Sequence, residues 1–589
     1  MKKKLLFLLF IVCFCVKSSY PEIMKLAEIQ PGMQGEGKTI FKDTKIETFK
    51  FKVLGFIEKF VPNKNLIIVE IKSSVLEGGG ILEGMSGSPL YINGKIIGAV
   101  SYGFSFSKKP IAGVTPIEDI IKTSDYNNQA YFIDISDIKL GFDKKSIKNV
   151  VHLIQEELIN RMNFSHVKSI LPIKLISTSK GMNPSALSYL KPMFTPLNNI
   201  EFSKKIKKNY INNDLFKISE GDAVSIPLIK GDFEYSASGT VSYVDGKKIY
   251  LFGHPFFNLG TVDFPLHKAE IISIVPSYQS GFKLTASRNM IGAVVQDRFS
   301  GVQGELGGKP YMIPMKVFLK NRNRKFDIKI VSHPLLTPSL AAISLMNILS
   351  SEYQQYGSQS LRIKGKIFIE DEKNIILDDL FSGLDSSNEF TNLVLAINFF
   401  LMNNREKRIK IQKIDFEINS SETVRRTNIE NVIINKNSFS PGEIISVKII
   451  FRNERGNRTV RNINVKVPKL KPGSDFYLMV ADKNEMAIFE SKNIKSSYFP
   501  IKLSSLVRAI NNLRKNNRVY FKILAPVKSL FIKGYEYSNL PQSLKNIFIF
   551  NSSSNVQSEM KYSTLMEYQM VIPAVVRGRK LFKLKIKER

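Results

Sequence analysis

The sequence predicts a mainly β protein, on three observations. Apolar and polar residues alternate over Ile46 to Leu54, as in Phe49-Lys50-Phe51-Lys52-Val53, which is the period of a strand with one buried face. Apolar runs flank Asn93-Gly94 and Asp245-Gly246, and those dipeptides supply the positive φ of two-residue hairpin turns. Helical spacing is confined to a few stretches. Hydrophobic residues make up 43% of the chain and charged residues 23%, the balance of packed globular domains. At 589 residues there is room for roughly three to four of them.

Taken in order, Met1-Lys2-Lys3-Lys4 is a positive start, Leu5 to Val16 is apolar, and Lys17-Ser18-Ser19 offers small residues for cleavage. The twelve-residue apolar run is short of the ~20 residues a spanning helix needs. Residues 1–19 are therefore expected to be a signal peptide and the protein to be exported to the periplasm or cell envelope, the alternative being an uncleaved anchor. Cys13 and Cys15 lie in this segment, and Val12 before Cys13 argues against a lipoprotein. Cleavage would leave no cysteine, excluding disulfides and thiol catalysis.

Residues 20–129 read as a β unit containing the hairpin Pro89 to Val100. Residues 130–215 read as a helical insertion or connector. Val150, Val151, Ile154, Leu158 and Met162 form one helical stripe there, and Asn183-Pro184 opens a second helix. Residues 216–320 return to strands, including the hairpin Val241 to Phe252. Residues 321–404 mix strands with helices at Thr337 to Ser351 and Glu389 to Met402. Residues 405–500 read as a β-sandwich, with strands Glu443 to Phe451 and Val460 to Val467 around Arg455-Gly456-Asn457. Residues 501–589 read as an α+β region that opens with the amphipathic stretch Ser504 to Lys515.

The net charge is +33, and removing Lys2, Lys3, Lys4 and Lys17 takes away four and leaves +29. The basic residues are spread singly along alternating strands, as on the solvent face of an antiparallel sheet. Nucleic acid is not expected as a partner. Peripheral contact with an anionic membrane surface fits the charge better.

Chemistry concentrates in Gly84-Met85-Ser86-Gly87-Ser88-Pro89. A serine nucleophile needs a tight turn that presents its hydroxyl and aims backbone N–H groups at a developing oxyanion. Gly84 and Gly87 permit such a turn. The α/β-hydrolase elbow G-x-S-x-G fits poorly, because Ser88 replaces the second glycine and a hairpin follows instead of a helix. A purely structural glycine turn is the competing reading. Of the histidines, only His254 follows a glycine at the exit of a strand. His267 is the fallback base, His152 lies in a helical pattern, and His166 and His333 read as loop residues. No metal-binding or nucleotide-binding spacing is present, so neither metal nor cofactor is expected.

The run Gly80 to Pro89 followed by Asn93 to Val100, together with Ser238-Gly239-Thr240-Val241 leading to Phe252-Gly253-His254-Pro255, resembles the SpoIVB-type serine peptidase family. The likeness covers about residues 25–120 and 215–320. It implies a chymotrypsin-like double β-barrel whose halves are 20–129 and 216–320. It also implies Ser86 as nucleophile, His254 as general base, and an oxyanion hole from the N–H groups of Gly84 and Ser86. Two departures stand out. The serine block precedes the histidine block here, and where the family carries its acid this chain reads Glu70-Ile71-Lys72. The expected orienting acid is therefore Asp297, with Asp263 as fallback. The function expected is an exported serine endopeptidase acting on protein or peptide in the cell envelope. The rival is a non-catalytic envelope adaptor that retains the peptidase-like fold as a binding platform.

Overall fold

The computed structural model describes residues 21–588 except 62–63, 78, 105–106, 126–132, 134, 136–137, 139, 163–169, 185, 187–196, 202–216, 278–280, 353–356, 494–499, 501, 528, 533–534, 538–540, 542 and 545–556. The expected signal peptide, His166 and most of the helix expected from Asn183 lie outside the described residues. Among the described residues, no helix is long and apolar enough to cross a membrane.

Six strands close the first barrel: β1 (Gln34–Ile40), β2 (Ile46–Val61), β3 (Lys64–Lys72), β4 (Pro89–Ile92), β5 (Lys95–Phe104) and β6 (Ile111–Pro116). Their order is β4-β1-β2-β3-β6-β5, and β5 pairs back onto β4. The alternation read from the sequence does the work. Along β2, Phe49, Phe51 and Val53 are buried while Lys50 and Lys52 face solvent. They meet Val69 and Ile71 of β3, Leu90 of β4 and Val100 of β5 in one core. Asn93 (φ 50°) and Gly94 (φ 77°) make the β4–β5 turn.

Between the barrels run the helix Lys144–Met162, β7 (Ile170–Pro172), β8 (Leu175–Lys180) and β9 (Leu197–Glu201). The helix buries Ile147, Val150, Ile154 and Leu158. The second barrel comprises β10 (Ala223–Gly231), β11 (Glu234–Asp245), β12 (Lys248–Leu251), β13 (Gly260–Val275), β14 (Phe282–Arg298) and β15 (Gly301–Leu306). These run β10-β13-β14-β15-β12-β11, with β11 closing onto β10. The chain is thus mainly β, with a chymotrypsin-like pair of six-stranded barrels. Among its described residues the connector holds strands as well as a helix. β7 adds to β5 of the first barrel and β8 to β11 of the second.

Beyond the second barrel its sheet continues through β16 (Met312–Leu319), β17 (Arg324–Val331), β18 (Gln359–Ile369), β19 (Ile375–Gly383) and β20 (Ile411–Ser421), joined at β10 through β17. Helices Thr337–Glu352 and Ser386–Met402 are apolar on nearly every side and bury accordingly. The strands of 405–500 are distributed differently from the sequence expectation. β20 pairs in parallel with β16 and antiparallel with β18, so 411–421 belongs to the barrel-side sheet. Strands Arg426–Ile434, Ile444–Asn453 and Arg458–Lys466 form a sheet with Val575–Arg577. Its apolar face, with Val447 and Phe451, shares a core with Phe476, Phe521 and Leu584 of a five-stranded sheet drawn largely from beyond residue 500. A face of alternating apolar residues needs a covering layer, and residues distant in sequence supply it.

Candidate active site

The serine turn is held from both sides. Within it, the Met85 N–H donates to the Leu82 carbonyl (3.1 Å) and the Ser88 N–H to the Met85 carbonyl (2.9 Å). Gly84 (φ 87°) and Gly87 (φ 95°) occupy the left-handed region, where side chains with a Cβ are strained. The Gly87 N–H donates to Val100 of β5 (2.7 Å), tying the turn to its own barrel. From the second barrel, the Thr240 N–H donates to the Ser86 carbonyl (2.9 Å) and Thr240 Oγ1 to the Gly84 carbonyl (3.1 Å). A Cβ on Gly87 would stand 2.1 Å from the Thr240 carbonyl oxygen. Glycine is required there because the barrels meet at that point. Among the described residues, no acceptor pairs with the N–H of Gly84 or Ser86.

His254 reaches the same seam from the exit of β12. Phe252 (φ 68°) and Gly253 (φ 66°) turn the chain sharply, and the Gly253 carbonyl accepts from Thr115 Oγ1 of β6 (2.6 Å). A Cβ on Gly253 would lie 2.2 Å from Ser101 Oγ. The Tyr102 and Phe252 ring centroids lie 6.4 and 6.3 Å from that of the imidazole. Its Nδ1 is 2.8 Å from the Pro255 carbonyl oxygen, which only accepts, so Nδ1 carries the proton and Nε2 the lone pair. That lone pair faces Ser86 Oγ in a short contact. The same hydroxyl also lies 2.9 Å from the Phe252 carbonyl. Burial lowers the His254 pKa to about 4, opposed by the backbone carbonyls of Pro255 and Ile173. The ring is therefore neutral at physiological pH.

Asp297 is in the neighbourhood but not on the ring. Its carboxylate accepts from the N–H groups of Phe256 (2.7 Å), Phe257 (2.8 Å) and Leu259 (3.2 Å). Burial raises its pKa, and those backbone donors oppose the rise. The expectation that Asp297 orients the imidazole directly is thus corrected: a neutral carbonyl holds Nδ1, while Asp297 holds the loop that carries the histidine. Asp263 is exposed and accepts from the Tyr311 N–H (2.8 Å). His267, the fallback base, is buried within β13 and bonded to Arg288 and Lys230. His152 sits exposed beside Glu156 on its helix, and His333 accepts from the Leu335 N–H.

Sequence reasoning missed four contributors. Thr240 lay within a recognised block without a role, and Thr115 carried no signal. Ser101-Tyr102-Gly103 continues β5 past Val100, where the expected hairpin ended. Lys283, 1% exposed, sends Nζ to Thr39 Oγ1 (2.6 Å), which also accepts from Ser88 Oγ (3.0 Å). Burial lowers its pKa to about 7. The serine and histidine themselves are 0% and 2% exposed, so the pair is assembled and covered.

No curated protein and no solved structure matches the chain. Residues 15–121, which include the serine turn and the whole first barrel, match the SpoIVB peptidase S55 family model, and this match supports assigning that part of the chain to the SpoIVB-type serine peptidases.

Proposed function

We propose that the protein is an exported serine endopeptidase that hydrolyses peptide bonds through an acyl-enzyme. The observation that carries this reading is the contact between Ser86 Oγ and the unprotonated Nε2 of His254, made across the seam of two barrels. As Oγ bonds to the peptide carbonyl carbon, its proton passes to Nε2. The carbonyl oxygen becomes an oxyanion, which the N–H groups of Gly84 and Ser86 would receive. The imidazolium then protonates the departing amine as the C–N bond breaks. Water repeats the sequence on the acyl-enzyme, losing a proton to Nε2, and the acid leaves as Oγ is reprotonated. Asp297 acts in this scheme as a positioning residue for the loop 254–259. The export signal of residues 1–19 would deliver the protein to envelope substrates, and the spread of lysines is compatible with an anionic surface nearby.

The test is labelling of the purified protein by a fluorophosphonate. Adduct on Ser86, abolished by Ser86→Ala and by His254→Ala, is expected. Labelling that survives Ser86→Ala, or a protein inert at every pH and after every opening treatment, would sink the reading. A second reading, a non-catalytic envelope adaptor, is favoured by the burial of the pair and by the absence, among the described residues, of a carboxylate on Nδ1. It expects Ser86→Ala to leave the cellular phenotype intact while deletion of the sheets beyond residue 425 abolishes it.

A further inference from the structure

The chain's own connector lies beside the serine–histidine pair, and it lies there as a strand. β7 runs antiparallel to the end of β5, with Tyr102 opposite Pro172, Gly103 opposite Leu171 and Phe104 opposite Ile170. One step further, the Ile173 N–H donates to the Ser101 carbonyl (2.9 Å). The chain then passes through Lys174 into β8, which belongs to the other barrel. Residues 170–175 therefore cross from barrel to barrel at the seam where Ser86 meets His254, and the Ile173 carbonyl is one of the two backbone acceptors acting on the His254 ring.

Buried and outward side chains both occur along the segment, with Pro172 half-buried between the exposed Leu171 and the buried Ile173. Ile170 is buried in a cluster with Phe60, Leu66 and Tyr102, Leu171 is 45% exposed, Ile173 is buried against the first-barrel core that contains Leu82, Met85 and Val100, and Lys174 is exposed. Gly103 lies against Ile173, where a Cβ would stand in ordinary contact, 3.6 Å from its Cγ1. Pro172 cannot donate to a ladder and is tolerated at a sheet edge. A sheet edge recognises an added strand through main-chain hydrogen bonds for affinity and pockets for alternate side chains for selectivity.

Resting on the peptidase reading above, we propose that the substrate is an extended peptide that adds as a strand to the edge of β5 at Ser101–Phe104, with an aliphatic side chain in the pocket now filled by Ile173, and that residues 170–173 hold that place as an intramolecular stand-in. The residue in the Ile173 pocket is the one whose carbonyl acts on the His254 ring that Ser86 contacts, so cleavage is expected after a branched aliphatic residue. The resting chain is latent because its groove is occupied.

The experiment uses the full exported chain with Ile170→Ser and Ile173→Ser together, and separately with Leu171→Pro. The second variant removes an edge N–H opposite Gly103 without touching a buried side chain, so it serves if the first loses its cooperative melting transition. Two readings are taken: fluorophosphonate labelling of Ser86, and fluorescence anisotropy of a labelled Ile-Leu-Pro-Ile peptide on each variant carrying Ser86→Ala, which cannot cleave it. Expected are labelling at least tenfold faster than in the unaltered chain and saturable peptide binding at least tenfold tighter. Replacing the last isoleucine of the peptide by aspartate should abolish that binding. Peptide binding equal in opened and unaltered chains, or indifferent to the aspartate, would overturn the inference. Binding as expected with no labelling anywhere would leave this inference standing and remove the hydrolytic reading. Rapid labelling with no peptide binding would do the reverse.

Discussion

Two buried imidazoles in the second barrel share almost every local property and differ in one. His254 and His267 are 2% and 1% exposed. Each has its Nδ1 2.8 Å from a backbone carbonyl, Pro255 for one and Arg288 for the other, so each presents a bare Nε2. Burial lowers both pKa values to about 4. His267, however, sits inside β13, opposite Met290 and flanked on both sides by shifts of register against β14. Its Nε2 faces the Lys230 ammonium at 3.4 Å, and the nearby Ser287 hydroxyl meets Nδ1, the nitrogen already engaged. His254 stands on a loop that two consecutive positive-φ residues swing across to the other barrel, where its Nε2 meets a hydroxyl. A depressed pKa in a buried histidine therefore marks desolvation and nothing more. What makes a base is the partner of the free nitrogen, and that is decided by the seam.

The strongest way to break this comparison is to exchange the sites by mutation. In a chain whose groove has been opened, Ser86→Ala or His254→Ala should lower kcat/KM for peptide hydrolysis by at least about 10³-fold, because members of one nucleophilic unit fail together. Ser287→Ala should leave it unchanged. His267→Gln should lower the melting temperature, as a buried partner of Arg288 and Lys230 is replaced, without an effect on kcat/KM. A loss of activity on His267→Gln in a protein that still melts cooperatively would show that the wrong imidazole has been chosen.

Asp297→Asn tests what holds His254 in place. The carboxylate gathers three backbone N–H groups of the loop 256–259, and an amide offers one accepting oxygen in place of two. Misplacement of the ring by the order of 1 Å lowers kcat by about 10²-fold, whereas loss of an acid bonded to the ring lowers it by about 10⁴-fold. The expected result is the smaller loss, with the acid limb of the pH profile unmoved, since Asp297 does not touch Nδ1. A shift of that limb would restore a direct contact with the ring.

These sites were unequally legible in the sequence. Ser86 was readable because a nucleophilic turn and a hairpin both depend on local residues, Gly84, Gly87 and Asn93-Gly94. His254 was readable because glycine at 253 is a local requirement of a sharp exit from β12. Asp297 was found at the correct strand and given the wrong contact. Spacing along the chain brings β14 beside the loop but does not say whether a carboxylate faces a ring or a row of amides. The strand β7 left no signal at all, since three residues ending in proline do not read as a strand until the edge of β5 supplies its partner. The β10–β11 hairpin that closes the second barrel, with Gly231 (φ 136°) at its turn, was not read from the sequence. The sheet that covers Phe451 comes largely from beyond residue 500, and no local pattern announces such pairing.

The shared depression of the two histidines gives a smaller, pH-dependent effect. An unfolded imidazole binds its proton near 6.5, and both folded rings resist it until about 4. The stability they contribute is therefore fully present above pH 6.5 and is lost as the pH falls through 4, by at most about 3 kcal/mol each. Chemical denaturation between pH 7 and 4 should show that decline, and His267→Gln should flatten it by about one proton. Labelling of Ser86 in the opened chain should hold its rate from pH 6.5 to 5 and fall only towards 4, because the competent form is the neutral ring. A midpoint near 6.5 would mean that opening the groove rehydrates the ring.

The least of these effects concerns a buried base with no part in the proposed chemistry. Lys283 lies under the serine turn, its Nζ on Thr39 Oγ1, and burial brings its pKa down to about 7 from 10.5. Between those values the unfolded chain binds a proton that the folded chain does not, so stability rises with pH from 7 towards 10. Lys283→Met keeps the length and apolar stem, and Thr39 retains Ser88 as a donor. The variant should match or exceed the unaltered chain in stability at pH 7, lose the upward slope between pH 7 and 9, and label at Ser86 at an unchanged rate. If labelling falls with the slope, the ammonium reaches the reacting serine through Thr39 and Ser88, and the contrast between a perturbed base and a useful one must be redrawn to include it.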